Sequence, residues 1–277
     1  MDYYYLADGQ RVPQIGFGTG GLKGASGFAA IQSAIENGYR LIDTAYNYEN
    51  EGTVGAAIRS SGVNRAQIKV LSKLAGRYYA RRDALDTIKE SLYRSGLDYF
   101  DVYLLHWPNP EDNRYVEAWG ALIDAQRVGL VKSIGVSNFV PTFMSRLQNE
   151  TGVLPVINEV ALNPAINQSE VRAYDIAHHI LTACWSPLGG RRSNYYQDPR
   201  FLAIADKYGK NVGQIILRWE LQLGTLPVPK STSARRQAEN LQVFDFALTD
   251  DEMQLIRRVA TPESAAPYPD PMRYQQF

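Results

Sequence analysis

Residues 69–106 read KVLSKLAGRYYARRDALDTIKESLYRSGLDYFDVYLLH, and this segment holds one complete strand–helix–strand unit. The runs Lys69–Lys73 and Phe100–His106 are short, apolar and rich in β-branched or aromatic residues, which is typical of buried strands. Between them, a stretch that begins near Arg81 has the apolar spacing of a helix with one buried face. Parallel strands need crossover connections of this kind. The segment therefore predicts an α/β fold with a parallel sheet.

The same pattern recurs along the whole chain. The predicted strands are Gln14–Thr19, Arg40–Ala45, Lys69–Lys73, Phe100–His106, Ser133–Ser137, Val156–Val160, Leu181–Trp185 and Leu226–Pro229. The predicted helices begin near Gly27, Asn50, Arg81, Tyr115, Pro141, Ser169, Val212 and Ser233. Eight units in 277 residues give about 35 residues per unit, which is the size of a (β/α)8 TIM barrel. We expect residues 1–277 to form a single barrel domain.

Two segments lie outside the repeat. Tyr3–Leu6 and Arg11–Val12 flank an Asp-Gly turn and predict an N-terminal hairpin, which could plug the bottom of the barrel. Thr249–Val259 predicts an extra C-terminal helix, followed by a proline-containing tail. The tail reads equally well as a lid-like segment and as a frayed terminus.

Composition excludes several classes of protein. Lys+Arg and Asp+Glu both number 29, so the chain lacks the charge excess of a dedicated nucleic-acid binder. The single cysteine, Cys184, excludes an intrachain disulfide framework and a Cys-based zinc cluster. No apolar run approaches the ~20 residues of a membrane span, and the first residues do not read as a secretory signal. We expect a cytoplasmic monomer with no nucleic-acid or membrane partner.

The glycine run GFGTGG at Gly16–Gly21 matches the G-x-G-x-x-G fingerprint of a Rossmann fold, and Asp43 follows at a fitting distance. In that fold, however, the helix N-terminus meets the pyrophosphate directly after the glycines. Here Leu22–Gly27 intervenes with two further glycines, and Pro13 enters the preceding run. We therefore favour a glycine-rich first loop at a barrel mouth.

Polar residues close three successive predicted strands. Asp43, Lys73 and His106 stand at these strand ends, and Tyr48 follows in the loop after the first strand. The active site of a barrel gathers at the C-terminal ends of its strands, so these side chains are expected to meet. Ionisable groups are costly at such partly buried positions unless they pair, and an aspartate beside a lysine is a natural pair.

These four residue types together suit carbonyl reduction. A free tyrosine has a pKa of about 10, and a nearby ammonium lowers that pKa by stabilising the phenolate. Asp43 would keep Lys73 charged and in place. Tyr48 could then donate a proton to a carbonyl oxygen while a hydride reaches the carbon, and His106 could orient the carbonyl through a hydrogen bond.

Further motifs follow in order along the chain. They are GYRLIDTA at Gly38–Ala45, Tyr48 with Asn50-Glu51, LLHWP at Leu104–Pro108, IGVSNF at Ile134–Phe139, WSPLG at Trp185–Gly189, PKS at Pro229–Ser231, and Arg236 with Glu239-Asn240. With these motifs the chain resembles the aldo-keto reductases from about Leu6 to Val259. Its compact loops and short tail look most like the bacterial branch that includes 2,5-diketo-gluconate reductases.

The resemblance implies an NADP(H)-dependent enzyme that reversibly reduces aldehydes or ketones to alcohols. It implies that Tyr48 is the general acid, that Lys73 and Asp43 tune it, and that His106 orients the carbonyl. The nicotinamide would supply the hydride, while the protein supplies orientation and electrostatics.

The resemblance also implies a set of cofactor residues. They are Thr19; Ser137 and Asn138 at the carboxamide; Trp185 against the nicotinamide ring; Ser186 and Leu188 at the pyrophosphate; Lys230, Ser231 and Arg236 around the 2′-phosphate; and Glu239 and Asn240 at the adenine. Basic residues at a loop and helix start independently suit a phosphate. From the residues alone, Lys230 with Arg235 and Arg236 is an equally good solvated basic face.

One position departs from the family pattern. The family usually has Asn-Gln after the sixth strand, whereas this chain has Asn158-Glu159. A glutamate accepts hydrogen bonds from a carboxamide but cannot donate one when ionised. We still expect Glu159 to contact the cofactor.

Several neighbouring residues are assigned more cautiously. Trp107 and Tyr46, next to catalytic positions, are expected to line the substrate pocket. Arg191 and Arg192 fit either an anionic substrate or a solvated loop. The pair His178-His179 reads as a polar turn, since no further metal ligands are spaced for it.

Other functions stay open at this point. A non-catalytic NADPH-binding barrel subunit is one, because fold does not fix function. A Rossmann-type short-chain reductase is another, although no Tyr-x-x-x-Lys spacing occurs in the chain. A barrel aldolase with Lys73 as Schiff-base nucleophile is a third, and Asp43 opposes it by keeping the lysine charged.

Overall fold

The apolar runs of the sequence form eight parallel strands, each hydrogen-bonded to the next along the chain. The computed structural model describes residues 2–190 and 194–277. The barrel strands are β3 (Phe17–Gly18), β4 (Leu41–Asp43), β5 (Lys69–Leu74), β6 (Phe100–Leu105), β7 (Val131–Ser137), β8 (Ile157–Ala161), β9 (Leu181–Trp185) and β10 (Leu226–Pro227). All eight overlap the predicted strands.

Backbone hydrogen bonds also join the first strand to the last. The Gly16 N–H donates to the Pro227 carbonyl at 2.9 Å, and the Gly18 N–H donates to the Pro229 carbonyl at 3.1 Å. Together with the parallel pairing from β3 to β10, these bonds close the sheet on itself. The (β/α)8 barrel predicted from the sequence is confirmed.

Helices cover the outside of the barrel. They are α1 (Gly24–Glu36), α2 (Glu51–Ser60), α3 (Arg81–Ser95), α4 (Tyr115–Arg127), α5 (Pro141–Thr151), α6 (Ser169–Ala177), α7 (Pro199–Tyr208), α8 (Val212–Gln222), α9 (Ala234–Leu241), α10 (Asp250–Arg257) and α11 (Pro262–Ala265). Most of them bury apolar residues, such as Ala30, Ile31, Ala34 and Ile35 in α1, whereas α11 has no buried residue. None of the helices within the described ranges is long and apolar enough to span a membrane.

Two helical predictions need correction. Helix α1 begins at Gly24 rather than near Gly27, because the missing side chain of Gly27 lets the first turn lie against the Leu22 backbone. Helix α7 was not predicted, although Asp198 and Pro199 are ordinary start signals. The Asp198 side chain caps the helix by accepting a hydrogen bond from the Arg200 N–H.

The N-terminal hairpin lies at the bottom of the barrel, as predicted. Strand β1 (Tyr3–Tyr5) pairs antiparallel with β2 (Arg11–Pro13), and Gly9 takes the positive φ of +84° that the turn requires. Leu6 and Val12 pack into one cluster with residues of the barrel interior such as Leu41, Val102 and Leu226. The hairpin therefore closes the end of the barrel that lies opposite the strand C-termini.

The C-terminal tail folds over the opposite, C-terminal mouth. The Gln276 N–H donates to Asn109 Oδ1 at 2.9 Å, and Asn109 Nδ2 donates back to the Gln276 carbonyl at 2.7 Å. The Tyr274 ring packs on Trp107 with centroids 4.4 Å apart. Of the two expectations for the tail, the structure supports the lid-like segment.

Candidate active site

Polar side chains from several strands meet in one cleft at the C-terminal mouth. Asp43 ends β4, Lys73 lies near the end of β5, and His106 follows β6 directly. Tyr48 ends a short 3₁₀ turn, Tyr46–Tyr48, in the loop after β4. All four line a cleft of about 410 Å³, within the range of small-molecule sites. The structure thus brings together the four residues predicted to carry the chemistry.

The Lys73 ammonium lies at the centre of a buried ion network. It donates to Asp43 Oδ1 and, at 3.1 Å, to the Thr44 carbonyl. Glu159 Oε2 of β8 lies 3.1 Å from the same nitrogen. The sequence predicted the pair with Asp43, whereas the second carboxylate was not anticipated. Glu159 reaches Lys73 across the barrel, a proximity that no sequence spacing reveals.

The network holds Lys73 in its charged form. Burial lowers the pKa of Lys73, but the Asp43 and Glu159 carboxylates together raise it above its ordinary value. Burial likewise raises the pKa of Asp43, and Lys73 opposes that shift. Lys73 therefore presents a permanent positive charge toward the cleft.

The Tyr48 hydroxyl differs from the sequence-based expectation. Burial raises the pKa of Tyr48 above its ordinary value, and the nearby Lys73 only partly offsets this. The Asp43 and Glu159 carboxylates push the same pKa further up. The expectation of a net lowered pKa was wrong because it counted the ammonium without the desolvation. The phenol keeps its proton at neutral pH, as a proton donor must.

His106 is held as a neutral imidazole. Burial and the Lys73 charge lower the pKa of His106 well below its ordinary value. Its ring meets the Tyr48 ring edge to face, with centroids 5.8 Å apart. Within the described part of the chain, His106 Nδ1 is buried without a hydrogen-bond partner. A neutral imidazole beside the tyrosine can direct one N–H into the cleft.

A second group of polar residues fixes an aromatic wall beside this centre. Asn138 adopts a positive φ of 63°, from which its Nδ2 donates to the His106 carbonyl at 3.0 Å. Its Oδ1 accepts from Trp185 Nε1 at 2.8 Å. The Ser137 hydroxyl donates to the Glu159 carbonyl at 2.8 Å. These bonds hold the Trp185 indole against the cleft.

The same cleft also contains a cationic group. Its wall includes Ser186, Leu188, Gly20 and Lys230, and a side chain at Gly20 would lie 3.7 Å from the Tyr48 ring. Lys230 Nζ donates to the Gly20 carbonyl at 2.7 Å, and a side chain at Gly18 would crowd the Val228 carbonyl. The lining fits a phosphorylated dinucleotide, because one cleft holds an aromatic ring, buried polar atoms without a hydrogen-bond partner among the described residues, and a lysine ammonium.

Other predicted site residues lie outside the cleft wall. The buried Thr19 hydroxyl donates to the Asp43 carbonyl at 2.8 Å and so helps to fix the backbone of this aspartate. The Tyr46 ring packs under the Arg94 guanidinium, 3.9 Å from the ring centroid, and beside the Tyr78 ring. Tyr46 and Tyr48 stand at opposite ends of one 3₁₀ turn, and their rings lie in different surroundings. Trp107, by contrast, does line the cleft.

The predicted adenosine-end residues cluster on and just before α9. Ser231 and Ser233 precede it, and Ser233 caps it by accepting from the Arg236 N–H at 3.4 Å. The Arg236 side chain is exposed on the first helical turn. Glu239 accepts from Asn211 Nδ2 at 3.3 Å, and Asn240 is buried. The described cleft reaches Lys230 but not these residues.

The remaining expectations have simple outcomes. The His178 ring stacks on Tyr174 with centroids 3.9 Å apart, and no group of potential metal ligands occurs among the described residues. Cys184 is fully buried in β9. Arg191 and Arg192, considered for an anionic substrate, lie outside the described residues.

Several residues that line the cleft were not predicted from the sequence. They are Gly18, Gly20, Pro187, Val228 and Pro229. The glycine motif at Gly16–Gly21 was a signal for two of them, since a loop at a barrel mouth needs small residues where a ligand approaches the backbone.

Comparisons with known proteins show what this chain is similar to. Residues 14–261 match the model of the aldo/keto reductase family. The chain is 47% identical over 251 residues to 2,5-diketo-D-gluconic acid reductase B of Corynebacterium sp., covering 91% of this chain and 90% of that protein. It is 42% identical over 266 residues to methylglyoxal reductase DkgA of Escherichia coli K12, covering 96% of both. A crystal structure of a Bombyx mori aldo-keto reductase in complex with NADP superposes with a TM-score of 0.87 at 36% identity, covering 97% of this chain and 98% of that one.

Proposed function

The chain belongs to the aldo/keto reductase family, and we propose that Tyr48, Lys73, Asp43 and His106 carry its NADPH-dependent reduction of carbonyl compounds. One observation supports these roles above the others. A permanently charged Lys73, ion-paired to Asp43, lies 5.4 Å from the centre of the Tyr48 ring in a cleft that His106 also lines. Burying an ion pair is costly, and here it places a positive charge beside the phenol that would become a phenolate.

Each residue has one task. When bound, the reduced nicotinamide supplies the hydride. Tyr48 donates its phenolic proton to the carbonyl oxygen, and the Lys73 ammonium stabilises the phenolate that is left. The neutral His106 imidazole donates an N–H to the same oxygen and so aligns the carbonyl. Asp43 keeps Lys73 charged and directed at Tyr48.

The cofactor roles are proposed on the same cleft. Trp185, held by Asn138, offers a flat apolar surface for the nicotinamide ring, and Ser137 lies beside it. Ser186 and Leu188 line the cleft and are proposed to contact the pyrophosphate. We assign Lys230 to the 2′-phosphate, with Ser231 and Arg236 at the start of α9 beside it.

The adenine contacts proposed for Glu239 and Asn240 need a cofactor that extends beyond the described cleft. A dinucleotide held at the start of α9 would do so.

The monomeric state and the cytoplasmic location expected from the sequence stay predictions.

The names of two relatives support a proposal about the class of substrate. 2,5-Diketo-D-gluconic acid and methylglyoxal are both small, polar compounds in which the reduced carbonyl has a second oxygenated carbon nearby. We propose that this protein takes a substrate of that kind. Trp107, on which Tyr274 of the tail packs, lines the cleft together with His106.

The test combines binding with turnover. Purified protein is titrated with NADPH and with NADH while tryptophan fluorescence is followed, because Trp185 and Trp107 line the cleft. The same samples then receive methylglyoxal or 2,5-diketo-D-gluconate, and the absorbance of the reduced cofactor is recorded. We expect tighter binding of NADPH than of NADH and consumption with at least one carbonyl. Tight NADPH binding without consumption of any carbonyl would instead favour the non-catalytic barrel subunit.

A further inference from the structure

Glu159 is a second buried carboxylate beside an ammonium that already has one carboxylate partner. Lys73 already donates to Asp43 and to the Thr44 carbonyl, and Asp43 alone balances its charge. The Glu159 side chain is only 1% exposed, and neither of its oxygens makes a hydrogen bond with any described residue. Among the described residues, its only counter-charge is the shared ammonium at 3.1 Å. When ionised, Glu159 therefore leaves one negative charge in excess in the wall of the cleft.

We propose that Glu159 selects the oxidation state of the bound cofactor, favouring the positively charged oxidised nicotinamide over the neutral reduced one. The inference rests on the proposed function and adds a residue that influences the direction of the reaction. A glutamine at this position would have the same shape but no charge, so it could not distinguish the two forms in this way.

The position of the nicotinamide ring near Glu159 follows from the reaction. The hydride donor must reach the carbon whose oxygen receives the Tyr48 proton, so the nicotinamide ring lies beside the catalytic centre. Tyr48, Lys73 and Glu159 line the cleft close together, because Lys73 Nζ lies 5.4 Å from the centre of the Tyr48 ring and 3.1 Å from Glu159 Oε2. Two opposite charges within several ångströms of each other in a desolvated site change a binding constant on the order of tenfold or more.

The charged and titratable groups that face Glu159 set when it is ionised. They are Asp43 of β4, Lys73 of β5 and Cys184 of β9, with Tyr48 and His106 at the mouth of the cleft. Burial raises the pKa of Glu159 to about 7, Asp43 adds to this rise, and Lys73 opposes it. Glu159 therefore becomes ionised within the neutral pH range.

Linkage then couples cofactor binding to a proton. Bound oxidised cofactor stabilises the Glu159 carboxylate and should release a proton from Glu159 on binding, whereas bound reduced cofactor should not release that proton. As the pH rises through about 7, the affinity for the oxidised form should rise relative to the affinity for the reduced form. The 2′-phosphate also titrates near neutrality, but it is present in both forms and cancels in their ratio.

The experiment measures dissociation constants for NADP⁺ and NADPH by fluorescence quenching at about pH 6 and about pH 8.5. In the wild type, we expect the ratio of the two affinities to move toward NADP⁺ by about tenfold between these values. In Glu159→Gln, the ratio should not change with pH. Calorimetry in two buffers of different ionisation enthalpy should show more proton release with NADP⁺ than with NADPH in the wild type, and equal release with the two forms in Glu159→Gln.

The matched control is Asp175→Asn. Burial raises the pKa of Asp175 to about 7 as well, but this carboxylate lies on α6, outside the cleft wall. The control should keep the wild-type pH dependence of the ratio. A ratio that is independent of pH in the wild type, or that changes equally in Glu159→Gln, would overturn the proposal. A wild type that binds neither cofactor form would contradict the proposed function, and this inference with it.

Discussion

Replacing Lys73 with methionine should leave two buried carboxylates facing each other without a cation. The Lys73 side chain is 1% exposed, and it contacts both Asp43 and Glu159. Removing one partner of a buried ion pair costs about 3–5 kcal/mol, because the remaining charge is left desolvated. Methionine fills a similar volume, so the lost packing adds little.

The loss should grow with pH. The folded-state pKa values of both Asp43 and Glu159 are already raised by burial, and without Lys73 they should rise further. A carboxyl whose folded pKa lies above its unfolded value contributes stability at low pH that is lost as the pH rises through the folded pKa. In the wild type, the contribution of Glu159 to this slope ends near pH 7. In Lys73→Met, the free energy of unfolding should keep falling above that pH, by about 1.4 kcal/mol per pH unit for each carboxyl still protonated.

Lys69→Met is the matched control, four residues earlier on the same strand. Lys69 lies 3.0 Å from Asp101, but Arg65 at 2.9 Å and the Val70 N–H at 2.9 Å also bind that carboxylate. The control should lose about 0–1 kcal/mol with little change in pH slope. Urea unfolding of both variants at about pH 6 and about pH 8.5 measures the difference. The reasoning is refuted if Lys73→Met loses no more than the control, or if its loss does not depend on pH.

Three further predictions concern other parts of the barrel. The Glu220 carboxyl is fully buried without a hydrogen-bond partner among the described residues, and burial raises its pKa well above the usual range. Glu220→Met should therefore raise the free energy of unfolding above neutral pH by at least about 1.4 kcal/mol, and equal urea midpoints for variant and wild type there would contradict this. A side chain at Gly55 would overlap the Ser95 carbonyl, so Gly55→Ala should lose about 1–3 kcal/mol in the same assay, and an unchanged midpoint would show that α2 and α3 can separate freely. Lys230→Met should weaken NADPH binding by about tenfold and leave NADH binding unchanged, whereas equal weakening of both would remove Lys230 from the phosphate site.

Much of the fold was readable from the sequence because apolar strands between helices leave few alternatives. Leu181–Trp185 was predicted with the bounds that β9 has in the structure. The missed helix α7 shows the limit of hydrophobic periodicity. Its buried face is only Phe201, Ile204 and Ala205, and it follows a long loop, so its Asp-Pro start was passed over.

The catalytic centre was predictable for a topological reason, since the C-terminal ends of parallel strands meet at one mouth. The pKa values of its residues could not be predicted from the sequence. The net pKa of Tyr48 depends on desolvation, and the second carboxylate on Lys73 comes from β8, across the barrel from β5. Both effects need the tertiary arrangement. The separate surroundings of Tyr46 and Tyr48, two residues apart in one turn, need it as well.

The central claim is that Tyr48 donates the proton in carbonyl reduction, and the direct measurement compares Tyr48→Phe with Tyr46→Phe. Both changes remove one phenolic oxygen from the same 3₁₀ turn, but only Tyr48 lines the cleft. NADPH binding, followed by fluorescence quenching, should be retained in both. Turnover of the best carbonyl found should fall by about 10²–10⁴-fold in Tyr48→Phe and stay near wild type in Tyr46→Phe. A Tyr48→Phe protein that binds NADPH and reduces the carbonyl at the wild-type rate would contradict the account.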